Sequence, residues 1–243
     1  MVLDTCYKLP PKLRFDVNHN FTGRVTELSE MQERLANGRP GERMQRKLVL
    51  HGLGGIGKTQ LAIQYAHKHL DDYTSIWTVN CATKETCSNG FLEIAEELLA
   101  HYAKDSGHQG PGRLPSCLAG IPSGSSPLAD VKQVGKIVEA VKRWFCLRDN
   151  RNWLLILDNV DDFEAWDAKT IPSASHGTII MTSRRRDLIR LGPALEVKEM
   201  NDADSISLLL TSAGAGRDAP FTSEGEWYIL SDWPNDHIVR ISR

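Results

Sequence analysis

A glycine-rich segment between an apolar run and a helical pattern constrains this chain more than any other feature. Gly52 to Thr59 reads Gly-Leu-Gly-Gly-Ile-Gly-Lys-Thr and fits the phosphate-binding pattern G-x-x-x-x-G-K-[ST]. Glycines lack Cβ, so this backbone can curl and direct successive N–H groups at one anion, and the following helix adds its positive N-terminal end. We predict that Lys58 reaches the β- and γ-phosphates and that the Thr59 hydroxyl takes a Mg²⁺ position. A glycine turn that matches by chance is the alternative, and the strand-like and helix-like flanks argue against it.

Composition excludes several classes of function. The 243 residues suit one large domain or a domain and a half. The formal charge of -2 gives no basic field, so nucleic acid is not an expected partner. The five cysteines form no C-x-x-C pair, which predicts reduced thiols rather than a zinc site or a disulfide framework. No apolar run approaches the about 18 residues that cross a bilayer, and the N-terminus shows no signal peptide. We therefore predict a cytoplasmic protein without a membrane partner.

Strand-like and helix-like segments alternate along the chain. The predicted strands are Lys47 to His51, Ser75 to Cys81, Trp153 to Leu157, Thr178 to Thr182 and a short fifth, Leu195 to Val197. Apolar residues at helical spacing predict helices over Val25 to Leu35, Lys58 to Leu70, Phe91 to Leu99, Val131 to Trp144 and Ala203 to Leu210. This alternation predicts an α/β fold of the P-loop NTPase type, three-layer α/β/α with a mostly parallel five-stranded sheet.

Three other segments lack a clear period. Residues 1–20 are expected to be irregular, and residues 214–243 to form a poorly ordered tail after a nucleotide-binding domain of residues 21–213. Within that domain, residues 104–128 are rich in Gly, Pro and Ser and are expected to form a mobile surface insertion without helix or strand.

An aspartate ends the predicted strand that begins at Trp153. Neighbouring parallel strands end at the same sheet edge, so Asp158 is expected beside the phosphate-binding loop, where it would help to hold Mg²⁺ and act in catalysis. An ordinary turn after the strand is the alternative. The next residue is Asn159, which has no carboxylate to polarise water, so rapid hydrolysis is not expected. Asp161 and Asp162 could substitute for that acid or could only form the turn.

An arginine follows the predicted strand Thr178 to Thr182. A guanidinium at that edge can stabilise charge on a γ-phosphate, so Arg184 is the second predicted catalytic residue, a phosphate sensor. A solvated helix start is the alternative for this basic run. Arg185 and Arg186 are predicted to be surface residues.

Together these pieces resemble the NB-ARC domain, a branch of the STAND signalling ATPases, and in particular its fungal members. The matching segments are Phe21 to Arg24, Gly52 to Thr59, Ile76 to Asn80, Trp153 to Asp162 and Thr182 to Leu188. The resemblance implies a regulatory switch that exchanges ADP for ATP and self-associates through this domain. It places Phe21 and Arg24 at the adenine. The full predicted nucleotide-binding set is Phe21, Arg24, Gly52, Leu53, Gly54, Gly55, Ile56, Gly57, Lys58, Thr59 and Gln60.

Family members continue into a helical domain with a Gly-Leu-Pro-Leu segment and then a winged helix. Neither is recognisable after Ala213, so we expect a truncated protein or an incorrect gene model. Two rivals to the switch remain open. One is an AAA-type or kinase-like P-loop enzyme with real turnover, and the other is an inert fragment.

Overall fold

The computed structural model describes residues 9, 11, 18–36, 44–104, 114–121, 131–162, 170–212, 227–230 and 238–241. The chain divides into two compact units. The first consists of Met1–Val17 and Thr26–Lys198, and the second of Asn18–Val25 and Glu199–Arg243. In the described part, no helix is both long enough and apolar enough to cross a membrane.

A parallel sheet of five strands forms the centre of the first unit. The strands are β1 (Arg46–His51), β2 (Ser75–Asn80), β3 (Trp153–Asp158), β4 (Thr178–Ser183) and β5 (Ala194–Glu196). Their order is β2-β3-β4-β1-β5, and every pairing is parallel. The predicted fold class is confirmed. Asp158 was expected beside the glycine-rich loop on the assumption that its strand, β3, neighbours β1, the strand that leads into the loop. That assumption is wrong, because β4 lies between β1 and β3.

Five α-helices lie in the described part of the chain. They are α1 (Val25–Ala36), α2 (Lys58–Lys68), α3 (Lys84–Lys104), α4 (Val131–Phe145) and α5 (Asp202–Ser212). A 3-10 helix, Arg186–Leu191, follows β4. All five predicted helices are present, and α3 is much longer than its apolar stripe indicated.

Helices cover both faces of the sheet. β3 and β4 are buried at every position, which explains why they read as unbroken apolar runs rather than alternating ones. On one face, Phe91 of α3 and Trp144 of α4 share a core cluster with Leu155 and Met181. On the other face, α2 packs against β3 and β4 with buried residues such as Leu61 that lie outside that cluster. The two layers hold the carboxyl ends of the strands in fixed register.

The Gly/Pro/Ser-rich segment is described only in part. Residues 105–113 and 122–130 lie outside the described residues. Within 114–121, however, Leu118 is fully buried and belongs to the core cluster. The expectation of a mobile surface insertion is therefore wrong for this part, because an apolar side chain anchors its turns on the core.

The second unit contains α5 and two short strands. Asn201 caps α5, since its Oδ1 accepts from the Asp204 N–H at 2.8 Å and its Nδ2 donates to Asp204 Oδ2 at 2.9 Å. The strands β6 (Trp227–Leu230) and β7 (Ile238–Ile241) pair antiparallel. The sequence predicted no strand in this tail, and its other residues after Ser212 lie outside the described part.

Candidate functional site

The glycine-rich loop connects β1 to α2. Gly55 and Gly57 have φ of 75° and 96°, the left-handed region that side chains disfavour. A Cβ added at either position would meet nothing within 4 Å, so these residues face open space. Gly52 has φ of 152°, and a Cβ there would lie 2.4 Å from the Val197 carbonyl oxygen. The loop therefore has the curled glycine backbone that a phosphate-binding segment requires.

Lys58 is buried at the first position of α2. Its Nζ donates to the carbonyl oxygens of Gly52 at 2.9 Å and Leu53 at 2.6 Å, so the ammonium lies within the curl of the loop. Burial is the main cause that lowers the pKa of Lys58, and Arg184 adds to it. Two carboxylates oppose that shift, the stronger being Asp161. The lysine is thus fixed where an anion bound by the loop would meet it.

Asp158 is held by two hydroxyl groups. Its Oδ1 accepts from Thr59 Oγ1 and from Thr182 Oγ1, each at 2.6 Å. The start of α2 brings Thr59 across the end of β4 to this carboxylate. A carboxylate and a hydroxyl fit Mg²⁺, which proteins commonly bind through one or two such groups together with phosphate oxygens and waters. No group of three or more His, Cys, Asp or Glu residues among the described positions could hold a metal ion, so an all-protein cage is not the arrangement here.

Asn159 also binds Asp158, from the other side. Its backbone is left-handed, with φ of 60°, and its N–H donates to Thr182 Oγ1 at 3.0 Å. Its Nδ2 donates to Asp158 Oδ2 at 3.2 Å and to Asn80 Oδ1 at 3.4 Å. An amide that donates hydrogen bonds, rather than a carboxylate that accepts a proton, therefore flanks Asp158.

Sequence reasoning missed Asn80 as a neighbour of the site. It ends β2, and the β2–β3 register places it opposite Asp158. The signal was a polar residue at the end of a predicted strand, but only the strand order shows which strand it borders. The sequence placed Thr182 in a motif but suggested no role for it. In the structure its hydroxyl donates to Asp158 Oδ1 and accepts from the Asn159 N–H, so it helps to fix the position of Asp158.

Arg184 lies beside the glycine-rich loop. Its Nε is 3.3 Å from Asp161 Oδ2, and a Cβ added at Gly54 would lie 3.5 Å from its Cζ. The side chain is 69% exposed. Arg185 and Arg186 are exposed, as predicted, and Arg185 pairs with Asp187 at 2.8 Å. The structure thus brings Lys58, Thr59, Asp158 and Arg184 to one edge of the sheet.

The other residues predicted to bind nucleotide differ in exposure and in the compact unit to which they belong. In the loop, Leu53 is exposed, whereas Ile56 and Gln60 are partly buried. Phe21 and Arg24 belong to the second unit, where Arg24 is buried and has a φ of 59°. Their role at an adenine stays a prediction.

The curled loop, the buried lysine and the hydroxyl–carboxylate pair at the carboxyl edge of a parallel α/β/α sheet define a nucleotide-binding P-loop ATPase domain. The chain belongs to the AAA ATPase domain family, whose model matches residues 20–179.

One relative at the sequence level is a nucleotide-binding leucine-rich repeat (NLR)-like protein of Hyaloscypha variabilis (strain UAMH 11265 / GT02V1 / F). It is 24% identical over 218 residues, which cover 82% of this chain and 19% of the relative. The chain thus spans about a fifth of that protein's length.

Two solved structures match this chain with TM-scores below 0.5. Cdc6p from Pyrobaculum aerophilum is 14% identical with a TM-score of 0.49, covering 88% of this chain and 54% of that one. The Aeropyrum pernix ORC2 protein, in ADPNP–ADP complexes, is 13% identical with a TM-score of 0.44, covering 90% and 58%.

Proposed function

We propose that this chain is the ADP- and ATP-binding domain of a signalling switch of the NB-ARC (STAND) kind, with slow hydrolysis. The observation that carries the proposal is the set of contacts around Asp158. Thr59 and Thr182 donate to one carboxylate oxygen and Asn159 to the other. Asp158 is thereby arranged to hold a cation, while the adjoining position offers no acid to activate water. The sequence similarity to an NLR-like protein supports a signalling role.

Each residue has a defined task in this proposal. The loop N–H groups and Lys58 bind the β- and γ-phosphates, and Thr59 with Asp158 would hold Mg²⁺. When bound, Mg²⁺ supplies charge neutralisation on the phosphate oxygens. Arg184, whose guanidinium lies beside Gly54 of the loop, senses the γ-phosphate. Cytoplasmic location and self-association within a longer protein belong to the same proposal.

Nucleotide binding is tested by calorimetry with ADP and ATP on the purified chain and on Lys58→Ala. Loss of a charge-assisted contact of about 1.5–3 kcal/mol corresponds to roughly 10- to 150-fold weaker binding. Lys68→Ala is the matched control, because that lysine is exposed at the other end of the same helix. Unchanged ADP affinity in a folded Lys58→Ala protein would overturn the assignment.

The second candidate is an ATPase with real turnover, and membership of the AAA ATPase domain family favours it. Steady-state hydrolysis separates the two. We expect a rate far below the typical enzyme value of about 10 s⁻¹, and a higher rate in Asn159→Asp, which restores a carboxylate next to Asp158. A rate near that value that is lost in Lys58→Ala would favour the enzyme instead.

The hypothesis that the chain is an inert fragment, which binds no nucleotide, is tested separately by thermal unfolding. A ligand that binds only the folded state raises stability by RT ln(1 + [L]/Kd), so ADP at about 100 times its Kd should add about 2.7 kcal/mol. The same melting curve at every ADP concentration would identify an inert fragment.

A further inference from the structure

Asp161 binds the end of β4 through both carboxylate oxygens. Its Oδ1 accepts from Ser183 Oγ at 2.9 Å and from the Arg184 backbone N–H at 2.6 Å. Its Oδ2 lies 3.3 Å from Arg184 Nε. A tight turn, in which the Asp161 N–H donates to the Asn159 carbonyl at 2.8 Å, directs the side chain this way. Because these contacts hold the Asp161 carboxylate against Ser183 and Arg184, Asp161 is not positioned to replace the catalytic acid that is absent at Asn159.

The same carboxylate lies close to both cations of the site. It is the strongest of the charges that oppose the lowered pKa of Lys58. It also binds Arg184 through Nε, and the guanidinium carbon lies beside Gly54 of the loop. A γ-phosphate bound to the loop would therefore meet a guanidinium that already has an anionic partner.

We propose that Asp161 competes with the γ-phosphate for Arg184 and so lowers the preference of the site for ATP over ADP. The inference rests on the proposed function, because it requires Arg184 to contact the γ-phosphate. ADP lacks that group, so Asp161 affects ADP binding less than ATP binding. Asp161 is thus a residue that sets nucleotide specificity, without contacting the reacting atoms itself.

The size of the effect follows from exposure. The Arg184 side chain is 69% exposed and that of Asp161 is 31% exposed, so water screens the pair. Exposed ion pairs contribute little to stability, and the matching change in relative affinity is about 1.5- to fivefold. Asp161→Asn keeps an oxygen that can accept from Ser183 and from the Arg184 backbone, so the turn is retained while the charge is lost.

The test is calorimetry on the full chain with ADP and with the β,γ-imido analogue of ATP. In Asp161→Asn, the ratio of the ADP Kd to the analogue Kd should rise about 1.5- to fivefold. Asp187→Asn is the matched control, because it removes a carboxylate that pairs with the neighbouring Arg185 at 2.8 Å. Its ratio should stay at the wild-type value, and a rise equal to that of Asp161→Asn would refute a specific role.

Two further variants separate this proposal from the one on which it rests. If Arg184→Ala leaves the ratio unchanged, Arg184 does not sense the γ-phosphate and the proposed function fails in that respect. If Arg184→Ala lowers the ratio but Asp161→Asn does not raise it, only the competition is refuted. In the double variant, the effect of Asp161→Asn should vanish. An effect that persists there would show a direct action on the phosphates and overturn the competition.

A measurement on the wild-type chain covers the case in which Asp161→Asn fails to fold. The Arg184 Nε–H signal, identified by its loss in Arg184→Ala, is followed by nuclear magnetic resonance with each nucleotide. We expect it to shift between ADP and the ATP analogue as the guanidinium changes partner. The same signal position with both ligands would refute the competition.

Discussion

Replacing Thr182 by valine tests whether the contacts around Asp158 stabilise the fold. Thr182 is 1% exposed, donates to Asp158 Oδ1 at 2.6 Å and accepts from the Asn159 N–H at 3.0 Å. Valine has the same shape but makes neither bond. A hydrogen bond to a charged group contributes roughly 1.5–3 kcal/mol to stability, so we expect the free energy of unfolding of Thr182→Val to be lower by about 2–3 kcal/mol. For a domain of this size, that loss lowers Tm by about 4 to 12 °C.

Thr78→Val is the matched control. The Thr78 hydroxyl is buried on β2 and has no hydrogen-bond partner among the described residues. Replacing an unpaired buried hydroxyl by a methyl group should leave stability unchanged or raise it slightly. Urea unfolding of both variants, with equal m-values, gives the comparison. Equal losses in the two proteins would refute the reasoning, because they would show that the Asp158 contacts add nothing beyond a buried hydroxyl.

Two other predictions concern the end of β1 and the partly described insertion. Burial is the main cause that lowers the pKa of His51 from 6.5, so the unfolded chain takes up a proton that the folded protein excludes. The free energy of unfolding should therefore be highest above about pH 6.5 and should fall as the pH decreases below that value. The drop in Tm from about pH 7.5 to about pH 5.5 should be smaller in His51→Asn, and an equal drop would contradict this. Leu118→Ala should cost about 2–4 kcal/mol in urea unfolding, and a loss under about 1 kcal/mol would contradict its place in the core.

The sequence predicted the elements of the fold better than their arrangement. Strand and helix periods are local properties, so β3 and β4 could be recognised from unbroken apolar runs. The order of strands depends on long-range pairing, which no local pattern encodes. For that reason the position of β4 between β1 and β3 was missed, and so was the pairing of β2 with β3 that brings Asn80 into contact with Asn159.

Short segments were the other source of error. Leu118 lies among turn-forming residues, and one buried leucine produces no period. The strands β6 and β7 have four residues each, too few for alternation to stand out. In the site, the residue types of the loop and of Asp158 were sufficient to predict their proximity. The direction in which Asp161 points depends on a turn geometry that the sequence left open.

The central position of β4 has a consequence for how the protein folds. β4 pairs on one side with β3, the strand before it, and on the other with β1, whose paired residues lie 132 positions earlier in the chain, as in Arg46 and Thr178. Closing such long loops slows non-local pairing, so the central strands are expected to assemble late. The glycine-rich loop and Asp158 come within reach of each other only after that step. We therefore expect a newly synthesised chain to acquire nucleotide affinity at one late event, so that cellular nucleotide completes folding rather than initiating it.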